Sequence, residues 1–259
     1  MRIIVPLKAV PDLVEEIELT DDGTDIDREY LKFVLNEWDD QALEEALLIK
    51  DAGDAEVVAV ALADDPDIEQ ALYTAIAKGA DGAVKLDRST DGDAPADTHT
   101  RAAVFAAYLK DNPADLVITG VQAPDDLDGQ LPPALAAHLG APHASVVVSV
   151  EPADGKVRVR QEFSGGRAAD LEMTLPAVVG LQASRQTPRY APVSKVRAAQ
   201  QAGGLTDVAV ASGDGPPALT VRRIYAPESA SHAEMLTGDE DEVADKIIEL
   251  LRGRGLIKE

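Results

Sequence analysis

The sequence predicts an α/β protein: an open, mostly parallel sheet with helices on both faces, appended β-hairpins and an extended C-terminal arm. Three observations carry this. β-rich runs at 3–7, 56–62, 83–86 and 115–119 alternate with helical patterns at about 39–52, 67–79 and 97–111, and such alternation implies right-handed βαβ units around a parallel sheet. After residue 143 the chain is β-rich and punctuated by turns, with runs at 144–150, 156–162, 171–175 and 177–180. From Gln182 it becomes polar and proline-bearing, a Gly/Asp-rich stretch runs from Ala202 to Pro217, and a last helical pattern covers about 240–252. The expected division is therefore an α/β domain over residues 1–190 and an arm with a C-terminal helix over 191–259.

Each element has its own signal. Gly53 closes the first long helix, Gly79 the second and Asn112-Pro113 the third, because glycine adopts the backbone conformations that end helices and proline cannot continue one. The fourth helix should start near Gln130-Leu131-Pro132-Pro133, since proline fits a first turn. Between the first strand and the first helix lies an insert, residues 16–35, with Asp21-Asp22-Gly23-Thr24 as its hairpin turn. Ala153-Asp154-Gly155 and Gly165-Gly166 mark further turns. Ser164-Gly165-Gly166 also looks like the S-G-G opening of PP-loop enzymes that use ATP. In that class the motif follows the first strand and is completed by Asp and Ser; here it comes late and lacks both, so a hairpin turn is the better reading. No G-x-x-x-x-G-K-[ST] is present.

Composition narrows the function. Of 259 residues 45% are hydrophobic, which suffices for a buried core. The 47 acidic against 24 basic residues give a net charge of -23, which repels phosphate backbones and anionic headgroups and argues against nucleic-acid and membrane-surface roles. Acidic runs such as Asp64-Asp65, Asp125-Asp126 and Glu240-Asp241-Glu242 suit a high-salt, halophilic cytoplasm, where the Debye length falls to roughly 3 Å at about 1 M salt. A merely soluble acidic surface is the plainer alternative. With no Cys, thiol redox chemistry, Cys-ligated zinc and ordinary iron–sulfur ligation are excluded, so electrons would have to travel on a bound cofactor. His99, His138, His143 and His232 show no metal-ligand spacing. The opening residues form too short an apolar run for a signal peptide, and no run of about 18 apolar residues follows; the expected location is the cytoplasm, and the chain is not expected to be an integral membrane protein.

In an open α/β sheet a ligand lies beyond the carboxyl ends of the strands, where strand order reverses. With the first four strands ordered 3-2-1-4, the segments 6–12 and 120–130 face each other. Free amides at the helix start after the second segment could hold a phosphate, because they lack intrahelical partners and carry the positive end of the dipole. A polar loop with a helix cap is the plain alternative. Asp125, Asp126 and Asp128 within it suit ribose hydroxyls or an adenine amine better than a bare polyanion.

Several runs occur together in order: Leu7-Lys8-Ala9-Val10-Pro11-Asp12, Leu35-Asn36-Glu37-Trp38, Glu44-Glu45-Ala46, Thr74-Ala75-Ile76-Ala77-Lys78-Gly79-Ala80-Asp81, Gly120-Val121-Gln122-Ala123-Pro124-Asp125, Gly165-Gly166, Leu175-Pro176-Ala177-Val178-Val179 and Pro188-Arg189-Tyr190. From the first strand to about Ala199 the sequence resembles the beta subunit of electron transfer flavoproteins. The resemblance implies a nucleotide-binding α/β domain that pairs with an alpha subunit and contributes a wall to the FAD held chiefly by alpha. Such a chain is an electron carrier between dehydrogenases and an acceptor such as a quinone-linked oxidoreductase, and alone is not an enzyme. Its own cleft holds AMP in many members, or a second FAD in electron-bifurcating and quinone-linked members. Pro6, Lys8, Ala63, Gln122, Asp126, Gly129, Gln130 and Leu131 fall at cleft positions by this likeness. Ala96-Asp97-Thr98-His99-Thr100 resembles the A-D-T-x-A-T segment of members with a second FAD, which brings Asp97, Thr98 and Thr100 to the cofactor and favours FAD over AMP. Trp38 matches the aromatic that faces the alpha-bound flavin, a core tryptophan being the alternative. Tyr190 and Val193 fall in the partner-recognition arm, with Val193 at its apolar tip. The sequence departs from the family at Glu37, where proline is usual, at Pro132, where glycine is usual, and at Ser164 and Ala169, where acidic residues are usual. A stand-alone adenine-nucleotide sensor of the same class is the alternative function, but it leaves the arm unexplained.

Overall fold

The computed structural model describes residues 1–88, 96–126, 128–210, 221–226 and 235–257. His232 and residues 211–217 of the Gly/Asp-rich stretch lie outside them. The chain runs through β1 (Arg2–Pro6), β2 (Ala9–Pro11), β3 (Phe33–Leu35), α1 (Glu37–Ala52), β4 (Glu56–Leu62), α2 (Ile68–Lys78), β5 (Gly82–Asp87), α3 (Thr98–Asp111) and β6 (Leu116–Gly120). It continues through α4 (Leu131–Leu139), β7 (His143–Ala153), β8 (Lys156–Phe163), β9 (Arg167–Thr174), β10 (Ala177–Leu181), α5 (Val193–Ala202), β11 (Leu205–Ala209) and α6 (Glu240–Gly253).

One nine-stranded sheet has the order β11-β5-β4-β1-β6-β10-β7-β8-β9. The four strands expected in the order 3-2-1-4 are β5, β4, β1 and β6, and they pair in parallel in that order. Pairing stays parallel through β10 and β7 and turns antiparallel only at β8 and β9. The appended hairpins therefore extend the sheet itself. The β7–β8 turn holds Asp154 at φ 46° and Gly155 at φ 76°, two left-handed residues whose twist matches the flanking strands. Ser164-Gly165-Gly166 closes β8 onto β9 between the paired Phe163 and Arg167, as the hairpin reading expects. In the insert, Leu19 bridges Ile26 around the predicted Asp21–Thr24 turn, and β2 and β3 form a separate two-stranded sheet.

Alternation along the central strands builds two cores. Ile3, Val5, Val57, Ala59, Ala61, Leu116 and Ile118 face Leu43, Leu47 and Leu72 of α1 and α2. The intervening Ile4, Val58, Val60, Leu62 and Val117 face Phe105 and Leu109 of α3 and Leu135 of α4. A strand buried on both faces needs apolar residues at successive positions, which is why these strands read as continuous β-branched runs. β8 is different: Val157 and Val159 are buried while Lys156, Arg158 and Arg160 are exposed, as expected of a strand with one solvated face.

The described residues form two compact units, Met1–Arg222 and Arg223–Glu259. In the first, beyond Gln182, α5 packs on α2 and β11 adds to the sheet edge beside β5. In the second, α6 is capped by Asp239, whose side chain accepts from the Glu242 N–H, and none of its residues is buried. No helix among the described residues is long and apolar enough to cross a membrane.

Candidate functional site

β1 leads through α1 to β4 on one side of the sheet centre, whereas β6 leads through α4 towards β7 on the other. The carboxyl ends of β1 and β6 therefore diverge, and a cleft of about 420 Å³, including space open to solvent, lies between them. Pro6, Lys8, Thr98, Gln122, Asp126, Gly129 and Leu131 line it, seven of the positions named from the sequence. The other named positions stand outside its lining. Ala63 follows β4 and donates its N–H to Leu86 O at 2.8 Å. Asp97 caps α3 by accepting from Thr100 N at 2.7 Å, and Gln130 is the cap residue of α4. Trp38 is half-buried in the first turn of α1, and Tyr190 and Val193 are exposed.

Four wall residues carry chemistry that the sequence reading did not assign: Asn36, Asp39, Arg101 and Phe105. Thr98, Arg101 and Phe105 share one face of α3 by helical spacing, so the face that starts with the named Thr98 carries the other two. Asn36 is the cap residue of α1, yet its side chain makes no capping bond. Its Nδ2 instead donates to Gln122 O at 2.9 Å, and its backbone N–H donates to Lys8 O at 2.9 Å. Its Oδ1 is buried and has no hydrogen-bond partner among the described residues. A side chain suited to cap a helix is instead turned to the segment after β6, while the backbone of the same residue holds the segment after β1.

Asp39 does a similar job. Its carboxylate accepts from Lys8 N at 2.9 Å and Gly120 N at 3.1 Å, tying the ends of β1 and β6 to α1. Burial pushes its pKa up to about 7, against the lowering contributed by Asn36, the two backbone N–H donors and the Lys8 charge. Arg101 and Asp65 form a bidentate ion pair with both side chains 5% exposed. Nη1 lies 2.8 Å from Asp65 Oδ2, Nη2 donates to Asp65 Oδ1, and Nε reaches Ala96 O at 3.2 Å. Burial opposes the Arg101 charge, but Asp65, with Asp64 and Asp125 beyond it, holds the pKa above its ordinary value. Lys8 Nζ pairs with Asp125 Oδ1 at 2.7 Å, and Thr98 Oγ1 donates to Asp126 Oδ2. Both cations of the wall thus carry carboxylate partners. Among the described residues no group of His, Asp and Glu is arranged to hold a metal.

Asp39 supplies a pH prediction. Its folded pKa lies above the unfolded value, so the folded chain holds a proton that the unfolded chain has released between about pH 4 and 7. Its contribution to stability is full below that window and is lost as pH rises through it. Urea unfolding of the wild type and Asp39→Asn at pH 5 and pH 7.5 isolates the term. The wild type should lose more stability than the variant over that interval; parallel behaviour would mean that Asp39 is ionised throughout.

The reversal-point cleft, walled from β1, α1, α3, β6 and the loop before α4, defines an open doubly wound α/β protein with its cleft at the carboxyl end of the sheet, the place where this class of fold takes ligands. Comparison with known proteins makes this more particular. The Electron transfer flavoprotein domain family matches residues 24–214. The chain is 34% identical to the electron transfer flavoprotein subunit beta of Methylophilus methylotrophus over 262 residues, covering 97% of this chain and 98% of that one. Proteins of the same name from Clostridium acetobutylicum and Bacillus subtilis are 36% and 27% identical, covering 76% and 99% of this chain and 74% and 100% of their own. The chain belongs to the electron transfer flavoprotein family, among its beta subunits, which transfer electrons rather than act as catalysts.

Proposed function

We propose that this chain pairs with an electron transfer flavoprotein alpha subunit, forms one wall of the FAD site carried chiefly by that partner, and holds an adenine nucleotide in its own cleft. The buried, unpartnered Oδ1 of Asn36 in the cleft wall carries this reading. A buried acceptor without a donor is costly, and an adenine amine or a ribose hydroxyl would supply one. Thr98 and Asp126, hydrogen-bonded to each other, line the same cleft and could turn to ribose hydroxyls, and Lys8 and Arg101 line it with their charges paired to Asp125 and Asp65, which suits a nucleotide better than a bare polyanion. The residues present thus fit an adenine nucleotide.

FAD rather than AMP is the proposed occupant. At the start of α4, Pro132 and Pro133 remove the amide donors that a phosphate would use there. α3 opens instead on Asp97-Thr98, with Thr98 in the wall, and this favours a diphosphate on the α3 side. Bound flavin would supply the capacity to accept and release electrons. Trp38, in the first turn of α1, is proposed to face the alpha-bound flavin. Residues 191–259 are proposed as the partner-binding arm and C-terminal helix, with Tyr190 and Val193 meeting the dehydrogenases. Electrons would pass to a quinone-linked oxidoreductase in a high-salt cytoplasm, and two flavins per pair would permit bifurcation.

The test is to denature the purified heterodimer and count what leaves it. Two FAD per pair are expected; one FAD and one AMP would reject FAD in the cleft, and the release of FAD alone from the alpha site would reject a nucleotide there altogether. Thr98→Val is expected to lower occupancy of the cleft while sparing the shared site, and equal loss at both would instead indicate a folding defect.

A further inference from the structure

Glu44 and Glu45 look in sequence like part of a solvated helix face, yet they are 3% and 0% exposed. Adjacent buried carboxylates are costly unless each is paired and hydrogen-bonded. Both partners come from the segment just before Val193. Arg189 donates to Glu44 three times over: its backbone N–H at 2.8 Å, Nε at 3.0 Å and Nη2 at 2.9 Å. Nη2 also reaches Asp51 at 2.8 Å, about two helical turns beyond Glu44 on the same helix. Glu45 accepts from Arg185 N at 3.1 Å and Arg185 Nε at 2.8 Å, and from Val150 N of β7 at 3.2 Å. Gln41, one turn earlier, accepts from Ser184 N at 3.0 Å. α1 therefore grips the backbone of residues 184, 185 and 189 as well as two arginine side chains. Immediately after the last grip, Tyr190 is 81% and Val193 60% exposed.

We propose that Glu44 and Glu45 are positioning residues for partner docking: they fix the root of the arm to α1, so that Tyr190 and Val193 are presented at a set place. This rests on the reading of Val193 as the docking tip. It gives a physical reason for two distant runs, Glu44-Glu45-Ala46 and Pro188-Arg189-Tyr190, to occur in one chain: the second supplies the cations and amides that the first must have to be buried. The helix that grips the arm at these residues also supplies Asn36 and Asp39 to the cleft at its start. Charge-assisted bonds to both oxygens of a carboxylate fix direction as well as distance, which a single long ion pair would not.

The sequence contains no cysteine, so paired spin labels at Ser194→Cys and His138→Cys report the spacing between the arm and α4. The unaltered clamp should give a narrow distance distribution. Glu44→Gln cannot accept from all three Arg189 donors, and Arg189→Lys keeps the charge but loses the planar fork, so each should broaden the distribution by about twofold or more. Arg189→Lys, at a half-buried site, keeps the test usable where Glu44→Gln fails to fold. Unchanged widths in the folded variants would overturn the proposal and leave the packing of α5 on α2 as what places the tip. Val193→Asp is expected to keep the native width while slowing flavin reduction of the heterodimer by its dehydrogenase. Undiminished electron exchange in that variant would reject Val193 as the tip, whereas the label widths would still report on the clamp.

Discussion

Arg101→Met is expected to destabilise the folded chain by about 3–5 kcal/mol, the usual penalty for removing one partner of a buried ion pair. The cause is less the loss of attraction than what remains: Asp65, buried beside the cleft, would keep a carboxylate with its guanidinium partner gone. Ala96 O would also lose the Nε donor. The double variant Arg101→Met, Asp65→Leu should recover most of the loss, because an apolar pair of similar volume avoids the desolvation of two charges. Urea midpoints at constant slope measure both. A single-variant loss below about 1 kcal/mol would mean that the pair is solvated and contributes no more than a surface ion pair. Since Arg101 lines the cleft, the double variant should also bind nucleotide less well despite its restored stability, and this separates the structural from the ligand-binding effect.

Gly120→Ala is expected to be nearly as damaging, for a steric reason. A Cβ at Gly120 would stand 2.4 Å from Asp39 Oδ1 and 2.8 Å from both the carbonyl carbon and the Cβ of Trp38. Two of these atoms belong to the chain of α1 at its first turn, and the third is a carboxylate fixed by two N–H donors. None can swing aside alone, so the first turn of α1 must move away from β6. Overpacking of this kind costs about 1–3 kcal/mol, and occasionally more. The displacement would carry Asn36, Trp38 and Asp39 with it, so occupancy of the cleft and the spectrum of the shared flavin should both change. Gly82→Ala is the control: nothing lies within 4 Å of its added Cβ, and it should leave cleft and flavin as they were.

The parts of the fold that repeat a period were readable in the sequence. β1, β4 and β6 are apolar runs buried on both faces, and α1 to α3 end where Gly53, Gly79 and Asn112 stand. β2 and β3 are three residues each, too short for any pattern to stand out. β11 pairs at a sheet edge with most of its residues only partly covered, so Leu205–Ala209 shows neither a continuous apolar run nor a clean alternation. α5 starts after Pro192 in a polar segment with just Val196 and Ala199 buried, and from sequence it merges into the arm. The cleft was legible where its residues come from the strand ends and the loop before α4, because topology alone puts ligands there. Arg101, Asp65 and Glu45 were not legible, since their burial is decided by partners 36 and 140 residues away. A charged residue looks the same in sequence whether it is solvated by water or paired with a buried side chain of opposite charge. Asp39 was hidden differently: it looks like an ordinary acidic residue in a helix's first turn, favourable to the dipole, whereas its carboxylate is spent on Lys8 and Gly120.

The central claim, that this chain completes a flavin site with an alpha subunit, is tested most directly by co-expressing it with an electron transfer flavoprotein alpha subunit of the same organism. The purified material should be a one-to-one complex with a bound-flavin absorbance spectrum, which the separated chains do not show at the shared site. A chain that elutes alone, without flavin, while the alpha subunit keeps its full flavin spectrum unaided, would contradict the account.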